Sequence, residues 1–254
     1  MDYFIVVLVV TLGSMVVSIL YVWLGIAYAS TMMLLLSLLN FDLRYVLGSL
    51  LTAQVVTSCV GAYFRRVLII DSRRGIKYSG IVGVSAAIAF LSALLLGVYV
   101  MDSLRLALNA CLMLLAAITN YLAREASRHA KLSELVSIGA LTGLVKGVLG
   151  GSATPVLITS HRLLGLNIDE TMFRTLLSEV PICIAASTPY IAIGGFNTTL
   201  FLSITLGSVL GTYLVGMHLL RTRSRGTRRK ASSATMITAS TLLLIEAIRK
   251  LHST

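Results

Sequence analysis

The chain has 254 residues, of which 57% are hydrophobic and only 12% charged, with a mean hydropathy of +0.91 and a formal net charge of +11. Soluble domains carry roughly a quarter charged residues, so this composition excludes a soluble enzyme or binding module and defines an integral membrane protein. Long apolar runs with little period-2 alternation exclude a β-barrel and give an all-α architecture.

The N-terminus, Met1-Asp2-Tyr3-Phe4, lacks a positive leader region, so residues 3–26 read as a retained first helix. The first half continues with segments 28–40, 44–64, 79–100 and 104–122. A basic linker, 124–134, leads to segments 135–150, 152–165, 170–191, 197–219 and 232–250. The expected organisation is a first membrane repeat at 1–123, the linker at 124–134 and a second repeat at 135–254, with about eight to ten transmembrane or re-entrant helices in all. The duplication is visible when Gly13 is matched to Gly139 and Gly25 to Gly151; a one-residue slip then matches Asn40-Phe41-Asp42 to Asn167-Ile168-Asp169. Duplicated hydrophobic halves characterise secondary transporters, whose substrate site lies where the repeats meet.

Charge sets the orientation. Fourteen of the 21 Lys and Arg fall in the linkers 65–78, 124–134 and 221–230, including Arg65, Arg66, Arg73, Arg74, Lys77, Arg124, Arg128 and Lys131. Clusters of this kind face the cytoplasm and anionic lipid, so the net charge needs no nucleic-acid partner. With all three linkers inside, the first half starts outside and the second starts inside, which makes the two repeats inverted in topology. Arg249 and Lys250 are then left outside. The location expected is a cytoplasmic-type membrane, multi-pass; the pattern leaves a homodimer open.

Ionisable residues at membrane depth cost about 2.5–3.5 kcal/mol on insertion scales, and Lys146 and Glu179 are the two that stand out. Two readings remain open: a structural Lys146–Glu179 ion pair, or Lys146 as the attractor of an oxyanion with Glu179 carrying a coupling proton. Gly150 and Gly151 permit a helix break, Pro155 suits the first turn of a following half-helix, and Ser152 and Thr154 add hydroxyl donors. The same glycines also suit close helix packing. By pseudo-symmetry Tyr28, Ser30, Thr31 and Gln54 form the opposite wall of the site. His161 and Arg162 read as cytoplasmic-surface residues, and Asp169 and Glu170 as favourable charges at a helix N-terminus. Cys59, Cys111 and Cys183 read as buried small hydrophobes without CxxC spacing. No P-loop and no metal-ligand spacing is present, so no cofactor is expected.

The order of these features resembles the sulfite exporter TauE/SafE family of membrane permeases. The resemblance rests on Gly147-Val148-Leu149-Gly150-Gly151-Ser152-Ala153-Thr154-Pro155, on Gly48-Ser49-Leu50-Leu51, on Thr57-Ser58-Cys59-Val60-Gly61-Ala62, and on Gly207, Gly211 and Gly216 followed by Arg221. Departures are the first-half remnant Leu24-Gly25-Ile26-Ala27, Lys146 before the second-half glycines, and Arg174 in place of a small residue. The resemblance implies a permease, not an enzyme, that exports sulfite, thiosulfate or an organosulfonate. Two other readings stand beside it: a cation- or proton-coupled carrier of another small solute, and a membrane enzyme acting on sulfur compounds through Cys59 or Cys183.

Overall fold

The computed structural model describes residues 3–67, 69, 72–97, 102–122, 130–150, 153–221 and 225–253. These form ten helices: α1 (Tyr3–Leu24), α2 (Tyr28–Leu38), α3 (Leu43–Arg66), α4 (Ser72–Gly97), α5 (Asp102–Leu122), α6 (Leu132–Leu149), α7 (Thr154–Leu163), α8 (Ile168–Ala192), α9 (Thr198–Arg221) and α10 (Arg225–Ser253). Among the described residues there is no strand. Seven helices, α1, α3, α4, α5, α6, α8 and α9, are long and apolar enough to cross a membrane. At 1.5 Å per residue, the 11-residue α2 and the 10-residue α7 each reach only ~15–17 Å, about half of a hydrocarbon core.

Each predicted segment is a helix, and the differences lie at the basic ends. Helix α4 begins at Ser72 and α10 at Arg225, several residues before the apolar runs that mark them in the sequence. Hydropathy finds the part of a helix that sits in hydrocarbon, whereas the hydrogen-bonded helix continues into the polar zone. The linker expected at 65–78 is therefore mostly helix.

The helices pair in a pattern with internal symmetry. The principal contacts are α4 with α6, α1 with α9, α5 with α10, and α3 with α8. Exchanging each of α1–α5 with the helix five places later maps these pairs, and the weaker principal pairs, onto themselves. The register is constant. A shift of 125 residues carries Gln54 onto Glu179. The same shift carries Tyr21 onto Lys146, and it carries Gly25 (φ +80°) onto Gly150 (φ +64°) and Asn40 (φ +60°) onto Gly165 (φ +76°). The sequence match through Gly151 and Asn167 is thus one to two residues out of register.

Glycine sets the close crossings. A Cβ on Gly139, Gly143 or Gly147 of α6 would strike α4 at Val82, Ser85, Ala86, Phe90 or Ala93. A Cβ on Gly207 or Gly211 of α9 would strike α1 at Thr11, Ser14, Met15 or Ser18. These are small-residue contacts that let backbones meet where lipid provides no hydrophobic drive. Similarly, Gly48 of α3 lies against the Gly195 carbonyl, and the adjacent Ser49 hydroxyl donates to the Asn197 carbonyl at 2.9 Å and accepts from its N–H at 2.7 Å. The Gly48-Ser49 motif thereby clamps the turn between α8 and α9.

Arg65 corrects the reading of its linker. It is fully buried, and its guanidinium meets the Asp169 carboxylate at 2.7 Å and donates to the carbonyls of Val22 and Trp23 at 2.5 and 3.1 Å. It joins the C-terminus of α1, where helical carbonyls lack partners, to the first turn of α8. His161 and Arg162 are also buried, each 1% exposed, rather than at the surface. The His161 Nδ1 lies 3.2 Å from the Thr175 hydroxyl, and Arg162 donates to the Leu166 carbonyl at 2.6 Å, closing the turn that returns the chain to α8.

Candidate functional site

Helices α3 and α8 cross at the centre of the pseudo-symmetry, and the crossing is polar. Glu179, fully buried midway along α8, accepts a hydrogen bond at 2.9 Å from the Gln54 side-chain amide of α3. It accepts two more, from the hydroxyls of Tyr21 on α1 and Thr154 on α7. Thr154 opens α7, with Pro155 in its first turn, so the Glu179 carboxylate sits at the positive end of that short helix. Two residues beyond Glu179, Pro181 lacks the N–H that a continuous helix would donate to the Leu177 carbonyl, and it packs against Gly83 of α4.

Lys146, in the last turn of α6, is 1% exposed. Its ammonium donates to the Cys183 sulfur at 3.5 Å, and among the described residues no carboxylate lies within 4.0 Å of it. The Lys146–Glu179 ion pair is therefore not formed here. Cys183 is one helical turn from Glu179 on the same face of α8, so the cation and the carboxylate are neighbours held by different partners. The carbonyl of Lys146 accepts at 2.8 Å from the N–H of Gly150, the left-handed residue that ends α6. Gly151 and Ser152 lie outside the described residues.

The first half of the chain supplies the counterpart. The Gly25 N–H ends α1 by donating to the Tyr21 carbonyl at 2.8 Å, and the Tyr21 hydroxyl lies 3.0 Å from the Ser58 hydroxyl. Under the 125-residue shift, Tyr21–Ser58–Gln54 corresponds to Lys146–Cys183–Glu179. Tyr21 was not expected from the sequence, where an aromatic in an apolar run reads as packing. Its signal is positional: it stands four residues before the glycine that breaks α1, as Lys146 stands before Gly150.

The remaining first-repeat hydroxyls are placed elsewhere. Ser30 donates to the Asn109 side-chain oxygen at 3.0 Å, toward α5. Thr31 returns its hydroxyl to the Ala27 carbonyl at 2.8 Å. Tyr28 is buried beside Thr57 and Ser208, which bond each other at 2.7 Å. Of the residues expected to form the site, the structure thus brings Gln54, Thr154 and Glu179 into direct contact, sets Lys146 beside them through Cys183, holds Ser30 and Thr31 on other partners, and buries the Tyr28 hydroxyl without a hydrogen bond. The Gln54 side-chain oxygen is buried without a hydrogen-bond partner.

The fold and its polar centre define a polytopic helical membrane protein with an ionisable site between two structurally matched halves. The family model described as "Sulfite exporter TauE/SafE" matches residues 10–243. The chain belongs to that family, which is one of membrane transporters. No curated protein and no solved structure matches it.

Proposed function

We propose that the chain exports a small sulfur-containing anion, such as sulfite, thiosulfate or an organosulfonate, by alternating access of two inverted repeats. The single observation that carries this reading is Lys146: a buried ammonium that meets a thiol and, among the described residues, no carboxylate. An unpaired buried charge is costly, and an oxyanion entering beside it offsets that cost with charge-assisted hydrogen bonds. The helix N-terminus at Thr154 adds favourable potential for an anion. Glu179, held by three donors next to the cation, is the group placed to exchange a coupling proton. The exchange symmetry of the helix pairs and the constant register support two repeats of five helices, 1–123 and 135–254, joined by the basic segment 124–134. With the basic linkers facing the cytoplasm across a cytoplasmic membrane, an inside-negative voltage drives anion export at ~2.3 kcal/mol per charge per 100 mV.

The test is efflux of sulfite from proteoliposomes, wild type against Lys146→Ala, with thiosulfate, sulfate and a small sulfonate as competitors. Loss of saturable efflux in a variant that still elutes as folded protein supports the anion site and ranks the substrates. Wild-type protein that moves no sulfur anion refutes the export reading and favours a cation-coupled carrier in which Glu179 binds the cation.

A further inference from the structure

Helix α4 carries an outward stripe that changes character along its length. Arg73 and Lys77 are exposed and one turn apart; Gly80, Val84 and Ile88 follow on the same side, with Val84 and Ile88 56% and 66% exposed. Between this stripe and Val136 of α6 runs a groove of about 650 Å³, lined by Ile76, Lys77, Gly80, Ile81, Val84 and Ile88. Gly80 opens it, since a Cβ there would meet nothing within 4 Å.

The second repeat shows what the groove is not. The 125-residue shift carries Lys77, Gly80, Val84 and Ile88 onto Leu202, Thr205, Val209 and Tyr213 of α9. That face has no cation and no glycine gap. The glycine gap and the cations therefore occur together on α4 and not at the matching positions of α9.

We infer that this groove binds an anionic phospholipid, with its phosphate at Lys77 and Arg73 and an acyl chain along Gly80, Val84 and Ile88. Dimensions and charge both fit. Eleven residues separate Lys77 from Ile88, ~16 Å of helix, which matches one leaflet's half of a ~30 Å hydrocarbon core. Each Lys or Arg near the surface adds ~1 kcal/mol toward anionic lipid, about fivefold in affinity. The walls, α4 and α6, are the pair locked by Gly139, Gly143 and Gly147, so the bound chain lies against a rigid seam.

The experiment is native mass spectrometry of the full-length protein from mixed micelles containing phosphatidylglycerol and phosphatidylcholine with the same acyl chains. Gly80→Leu enters the groove through a Cβ position that meets nothing within 4 Å and favours helix, so the fold is expected to stay intact, as circular dichroism would verify. Wild type is expected to retain phosphatidylglycerol about fivefold or more over phosphatidylcholine. Lys77→Gln should lower that preference about fivefold, and Gly80→Leu should cut retention of both lipids at least about tenfold. Equal retention of the two lipids by wild type, or unchanged retention by Gly80→Leu, overturns the inference. So does a wild-type dimer that Gly80→Leu converts to monomer, which would make the groove a contact between two copies of the chain.

Discussion

The two limbs of the central site share a backbone and differ in chemistry. On one side Tyr21, Ser58 and Gln54 are neutral donors and acceptors; on the other Lys146, Cys183 and Glu179 occupy the same places with groups that can carry charge. Both limbs end their first helix on a left-handed glycine, and both turn into a short second helix. The two halves therefore share a scaffold, while the ionisable groups are concentrated on one of them. A neutral limb can hold and orient, whereas a charged limb can attract an anion and exchange a proton.

Making the limbs alike breaks the comparison most severely. Lys146→Tyr, which places the first-half residue in the second, should weaken anion binding while saturable efflux persists. A hydrogen bond to a charged group is worth about 1.5–3 kcal/mol, so half-saturation should rise about ten- to a hundredfold. Glu179→Gln makes the crossing symmetric, and sulfite efflux measured across a pH series should lose its pH dependence; a variant that keeps that dependence would remove Glu179 from the coupling role.

Stability is probed at Arg65, whose counterpart Tyr190 carries no charge. Arg65→Ala removes the cation 2.7 Å from the buried Asp169 carboxylate and should cost up to about 3–5 kcal/mol, read as a drop in the thermal midpoint in detergent. Replacing both partners, Arg65→Met with Asp169→Leu, should recover much of that loss. Tyr21→Phe removes one of the three donors to Glu179 while keeping the ring, and efflux should fall only about two- to tenfold. The smallest effect is expected from Cys183→Ser, which installs the equivalent of Ser58: transport should stay within about twofold of wild type. Complete loss of flux on that change would instead favour chemistry at the thiol.

Much of this organisation is legible in the sequence: the membrane class, the helical segments and the family. What escaped has physical reasons. Identity, Gly with Gly and Asn with Asn, places the match between the halves one to two residues out of register. The backbone instead conserves a positive φ, which Asn40 and Gly165 both satisfy. Arg65 was assigned to the linker because a basic residue at the end of an apolar run is the usual topology signal. Nothing local reveals that Asp169, 104 residues later, will meet it. Tyr21 was passed over because hydropathy does not register a hydroxyl on an aromatic ring. Lys146 and Glu179 are legible individually, but their separate partners, Cys183 for one and Tyr21, Gln54 and Thr154 for the other, depend on how five helices converge.

The Gln54–Glu179 contact also limits stoichiometry. The two side chains have the same shape and face each other across the crossing at 2.9 Å. Two carboxylates at that distance could not both be ionised, and one would hold its proton through the cycle. With an amide on one side, the centre has a single exchangeable carboxyl proton. Any second proton that accompanies a transport cycle must then come from another ionisable group, of which Lys146 and Cys183 are neighbours.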